Sequence, residues 1–156
     1  MTRWGGVGLI SLLLGLPACA GNPGPTQHAI FAEQMATAIA AAQETEIGFA
    51  RAGKITTEDH RKWQLGFKSI AQALQLYTQA IRAQDPVKTS GAFQVMARLL
   101  ADMSLTLVPQ IPDANARAAV QVALDAISAV LSQWTATVRI TWTPPPSVPS
   151  FVLASN

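Results

Sequence analysis

The sequence predicts an all-α fold: an antiparallel up-down-up-down four-helix bundle followed by an extended Pro-rich C-terminal tail. Three observations predict it. Apolar residues recur at spacings of three and four through four segments of similar length, which is the period of a single helical face. Capping residues, glycines and prolines separate those segments by roughly four to seven residues, too few for a crossover, so successive helices are antiparallel neighbours. Past Trp134 the helical period ends and prolines crowd the chain.

Residues 1–18 form an export signal, 19–26 a tether, 27–135 the bundle and 136–156 the tail. Met1, Thr2 and Arg3 supply one positive charge ahead of the apolar run Val7 to Leu16. A helix over that run would be about 15 Å long, half the hydrocarbon thickness of a bilayer, so it is a segment to be removed rather than a span. The run ends in Leu16, Pro17, Ala18 and Cys19, the last being the only cysteine in the chain. This tetrad resembles the lipobox of bacterial lipoproteins, from which it departs by having proline two positions before the cysteine. The resemblance covers only the first twenty or so residues. It implies cleavage before Cys19, a diacylglyceryl thioether on its sulfur and an acyl chain on its new amino group. Several chains are needed because one acyl chain binds a membrane only marginally, at about 0.8 kcal/mol per buried CH₂. Ala20 carries no aspartate-type retention signal, so the expected location is the outer face of the cytoplasmic membrane or the outer membrane. The Gly- and Pro-rich stretch Ala20 to Thr26 reads as the tether.

The first helix, from about Gln27 to Ala52, has its expected face at Phe31, Met35, Ala38, Ala42, Thr45 and Phe49, with Gly53 placed to stop it in the left-handed conformation. Thr56 caps the second, with Glu58 and Asp59 in its positive first turn and Asp59 completing an approximate capping box. Its face, Trp63, Phe67, Ile70, Leu74, Tyr77 and Ile81, is the most regular in the chain. Asp85 and Pro86 end it. The third helix runs to Leu107 along Phe93, Met96, Leu100, Met103 and Leu107, and Pro109 and Pro112 close it. Asp113 caps the fourth, to about Thr135, along Val120, Leu124, Ile127, Leu131 and Trp134. Val138, Ile140 and Trp142 then alternate at the strand period without a partner strand. The run Pro144 to Pro149 suits polyproline-like chain, and Pro146 to Pro149 fits the loose P-x-x-P form.

Charged residues make up 13% of the chain, about half the usual share, and the formal charge of +2 falls to +1 once Arg3 leaves. There is no basic stripe for a phosphate backbone, which argues against nucleic acid. No Glu-x-x-His, no G-x-S-x-G and no Gly-rich phosphate loop occurs, so no catalytic residue, metal site or cofactor is expected. His28 and His60 begin the first two helices. In an antiparallel pair they lie at opposite ends and read as solvated first-turn residues. Glu58, Asp59 and His60 are spread around their helix as cap and surface. Trp63, Phe67, Tyr77 and Trp134 read as core, the alternative being a cavity for an apolar ligand. The only local charge cluster, Arg51, Lys54, Arg61, Lys62 and Lys68, surrounds the first turn between helices. Arg51, Lys54, Arg61, Lys62 and Trp142 are the candidate interaction residues.

The expected function is therefore that of a non-enzymatic, membrane-tethered helical module at the bacterial cell envelope. Its partners would be the membrane, through the N-terminal lipid, and an envelope protein. Two alternatives stay open: a carrier or sensor of an apolar small molecule held within the bundle, and a phage-encoded envelope lipoprotein.

Overall fold

The computed structural model describes residues 24–138, and within them the chain is all-helical. Four helices, α1 (Pro25–Arg51), α2 (Thr57–Arg82), α3 (Pro86–Asp102) and α4 (Ala114–Val138), surround one hydrophobic core. Residues 1–18, Cys19, the tail beyond Val138 and with it Trp142 lie outside the described residues. Helix α1 starts two residues earlier than its periodicity suggests, because Pro25 fits the first helical position and Thr26 follows it. At the other end of the domain α4 continues through Val138, so Ala136 to Val138 belong to the helix rather than to extended chain.

Local chemistry sets the helix ends. After α1, Gly53 takes φ +70°, its N–H donates to the Ala50 carbonyl, and the Lys54 N–H donates to Phe49, which is the Schellman arrangement. After α2 the same arrangement forms around Gln84: the Gln84 N–H reaches Ile81 and the Asp85 N–H reaches Ala80. Gln84 does so at φ +52°, the one non-glycine residue in that region among the described residues. The Thr56 hydroxyl accepts the Asp59 N–H at 3.1 Å and donates to the Asp59 carboxylate at 2.7 Å. Asp85 accepts the Lys88 N–H at 3.0 Å, and Asp113 the Ala116 N–H at 2.9 Å. These three side chains satisfy donors that the first turn of a helix leaves free.

The expected faces of α2 and α4 are buried, except that Ile81 is half-buried. In α1 the face shifts. Ile39 and Glu46 are buried where Ala38 and Thr45 were expected, and these two, with Phe49, are only half-buried. Since α1 packs on both α2 and α4, its buried stripe is wide enough to take in the larger Ile39 beside Ala38. In α3 the α-helical ladder stops at Asp102 and a π turn, Met103–Leu107, follows, then a short 3₁₀ turn, Val108–Gln110. The wider turn advances the register by one residue, so Val108 is buried and Leu107 only half-buried. Gly66 makes room for this segment, since a Cβ there would stand 2.7 Å from the Met103 sulfur.

Contacts place the helix ends relative to one another. His28 and Phe31 of α1 meet Tyr77 of α2, Trp134 of α4 and, through Phe31, Phe93 of α3. At the far end Glu46 of α1 meets His60 and Gln64 of α2, while Lys54 pairs with Asp113 ahead of α4 at 3.1 Å. Helices α1–α2, α2–α3 and α1–α4 pack extensively, whereas α3 and α4 touch more sparsely. The stretch Pro86–Gln110 is long and apolar enough to cross a bilayer by length and composition, yet Phe93, Met96, Leu100 and Met103 from it are core residues.

Candidate functional site

Glu46 is the one buried charged residue among the described residues, with no exposed surface. Placing a carboxylate where the helix face calls for an apolar side chain is costly unless both oxygens find donors. Both do. His60 Nδ1 lies 2.8 Å from Oε1, and the Gln64 amide donates to Oε2 at 2.8 Å. His60 and Gln64 are four residues apart on α2, so a single helical face presents both to α1.

The Schellman turn at Gly53 folds the chain back so that Ile55, buried, closes the space between the end of α1 and the start of α2. Outside it lies a groove of about 460 Å³ lined by Ile47, Ala50, Arg51, Ile55, Thr57, His60 and Gln64. The His60 side chain is 35% exposed, so the ring bridges a buried carboxylate and an open groove. A carboxylate that fixes Nδ1 leaves Nε2 as the nitrogen available to a ligand. His60 is therefore an ordered groove residue and not the solvated first-turn histidine that its position suggests.

His28 also departs from that expectation. It is half-buried, with Nδ1 2.7 Å from the Tyr77 hydroxyl and its ring edge-on to Trp134 at 4.9 Å. Burial holds the imidazole below its ordinary pKa. Burial also pushes the Tyr77 hydroxyl well above its ordinary value, opposed weakly by the nearby Trp134 indole. That indole N–H does not reach hydrogen-bond geometry, and like the Trp63 N–H it has no partner among the described residues. The two histidines lie at opposite ends of the helices. Trp63, Phe67, Tyr77 and Trp134 sit in the core, as their spacing predicts: Trp134 stacks on Phe31 at 4.8 Å, and Trp63 lies 5.9 Å from Phe67. A second groove, of about 260 Å³, runs between α3 and α4 past Phe93, Leu100 and Leu131.

The basic cluster divides. Lys54 is held by Asp113, and Lys62 is 3.2 Å from both Glu58 and Asp59, an arrangement that raises the lysine pKa. Its Nζ also approaches the Gln110 amide oxygen at 3.5 Å. Arg51 and Arg61 are exposed and make no ion pair among the described residues, and Lys68 is likewise exposed. Asp59 is held below its ordinary pKa first by the Thr56 hydroxyl and then by Lys62, and Asp113 first by the Ala116 N–H and then by Lys54. Sequence reasoning found the caps at Thr56 and Asp113 and the cluster, read Asp85 only as the end of the second helix, and missed Glu46. The available signal was a glutamate spaced three and four residues from apolar positions on α1, with a histidine opening the next helix.

Among the described residues no group of three or more His, Cys, Asp or Glu side chains converges as a metal site would require. Compared with known proteins, the chain matches no family model, no curated protein and no solved structure.

Proposed function

We propose that this protein is a lipid-anchored helical lipoprotein of the bacterial cell envelope, acting as a non-enzymatic interaction or structural module. On this reading its helices run up-down-up-down, the lipid on Cys19 fixes one end, and the turn between α1 and α2 is the membrane-distal contact surface.

The observation that supports it is the position of α1. The helix begins at Pro25, a few residues after Cys19, and its 27 residues carry the chain about 40 Å along the helix axis. Arg51, exposed and without an ion pair, lies at the far end of that helix, and Arg61 lies on α2 beyond the turn. An exposed arginine is suited to acidic or planar partner groups.

Metabolic labelling with a palmitate analogue should mark the wild type and not Cys19→Ser. Photocrosslinkers at Ala52 and Leu65, exposed beside Arg51 and Arg61, should capture a discrete protein in intact envelopes, with capture reduced at least fivefold in an Arg51→Glu, Arg61→Glu double variant. An unlabelled wild type removes the anchor, and a reproducible crosslinking blank removes the contact surface.

A further inference from the structure

We propose that the groove between the end of α1 and the start of α2 binds a small organic anion carrying a short aliphatic chain. The groove, about 460 Å³, lies within the range of about 300–1,000 Å³ usual for small-ligand sites. Its walls separate by chemistry: Ile47, Ala50 and Ile55 are aliphatic, while Arg51, His60 and Thr57 carry polar groups.

Charge selects the sign of the ligand. Among the described residues no carboxylate lines the groove, and Glu46 behind His60 and Gln64 is fully buried with both oxygens engaged by them. The nearby lysines, Lys54 and Lys62, are taken by Asp113 and by Glu58 with Asp59. Arg51 remains, a groove-lining guanidinium with no ion pair among the described residues, whose fork matches a carboxylate or phosphate. The Thr57 hydroxyl, also in the lining, is a further donor. A buried carboxylate is a costly filling for a core position even when it is hydrogen-bonded. What Glu46 adds is a fixed imidazole at the edge of the groove. The aliphatic wall then takes the chain of the ligand, at about two- to fourfold in affinity for each methylene removed from water.

Nuclear magnetic resonance of the purified full chain, titrated with acetate, butyrate, hexanoate and 1-hexanol, tests this. Saturable shifts of the His60 imidazole and Arg51 guanidinium signals are expected, tightening from acetate to hexanoate, with hexanol at least tenfold weaker than hexanoate. Arg51→Gln should weaken hexanoate about three- to fivefold, the contribution of one exposed ion pair, while Arg98→Gln leaves it unchanged. The proposal is overturned if His60 and Arg51 do not respond, if hexanol binds as well as hexanoate, if chain length has no effect, or if Arg51→Gln binds normally. The groove lies wholly within α1, α2 and their connection, so the outcome is independent of whether Cys19 is acylated.

Discussion

Glu46 and His60 differ in what their removal leaves behind. Losing His60 strands a fully buried carboxylate with Gln64 as its only partner, whereas losing Glu46 leaves an imidazole that is 35% exposed and can turn to water. A buried carboxylate left without one of its partners costs about 3–5 kcal/mol, while replacing a buried charged group by an apolar one of similar volume is often close to neutral. His60→Ala should therefore lose about 3 kcal/mol in urea unfolding, and Glu46→Met should stay within about 1 kcal/mol of the wild type. Equal losses from the two would mean that the pair, and not the stranded charge, sets the balance. His28 gives a second expectation, with a definite sign. Its pKa is lowered in the folded protein, so protonation favours the unfolded chain. Its contribution is complete above the unfolded value of 6.5 and is lost as pH falls from there through the lower folded value. The melting temperature should fall as pH drops below about 6.5, and His28→Gln, which can still meet the Tyr77 hydroxyl, should flatten that part of the profile. A slope unchanged in the variant would assign it to other groups. Asp59, Asp85 and Asp113 act in a lower window, because their folded pKa values lie below the ordinary 3.8 and their contribution disappears only as pH falls through those values.

Helix ends, at the scale of elements, show how far short-range chemistry specifies this fold. Thr56, Asp85 and Asp113 each accept an N–H three residues on, and Gly53 adopts the left-handed conformation that its position suggested. These features could be read from the sequence because each depends on a few adjacent residues. Gln84 could not, since the arrangement that ends α2 is the same as at Gly53 but is built on a residue that ordinarily avoids φ > 0. It is held there by the Asp85 N–H to Ala80 bond and by Asp85 capping α3 immediately afterwards. Gln84→Gly should thus raise stability by about 0.5–1 kcal/mol, the left-handed strain relieved less the greater entropy of glycine in the unfolded chain. A lower melting temperature would show that the Gln84 side chain contributes more than its backbone costs. The shift from Leu107 to Val108 and the burial of Ile39 and Glu46 were illegible for a different reason. Both depend on which neighbours a helix meets, and spacing along one segment carries no information about the π turn over Gly66 or the approach of α2 to α1. Candidate chemistry followed the same division: the cap at Asp113 was visible, and the carboxylate fixed by residues of another helix was not.

For the whole molecule, the two ends of the helices differ in chemistry, and that difference gives the proposed anchor a physical consequence. One end is closed by the aromatic cluster of His28, Phe31, Tyr77 and Trp134. The other carries the Lys54–Asp113 pair, the exposed Arg51 and the groove over Glu46. A protein tethered at Cys19 through a short segment would keep the aromatic end toward the lipid and hold the groove end about 40 Å away, the length of a 27-residue helix at about 1.5 Å per residue. That distance far exceeds the Debye length of about 8 Å at physiological ionic strength, so lipid headgroup charge would be screened at Arg51. Small organic anions would then meet the groove without competition from the membrane surface. Fluorophores placed on the lipidated protein at Thr26 and at Lys68, both exposed, offer a test of this arrangement. A headgroup-attached quencher should reduce emission from position 26 severalfold and leave position 68, in the first half of α2, much less affected. Equal quenching at both would mean that the helices lie along the bilayer, bringing the groove to the headgroups and overturning the upright orientation while leaving the helical fold intact.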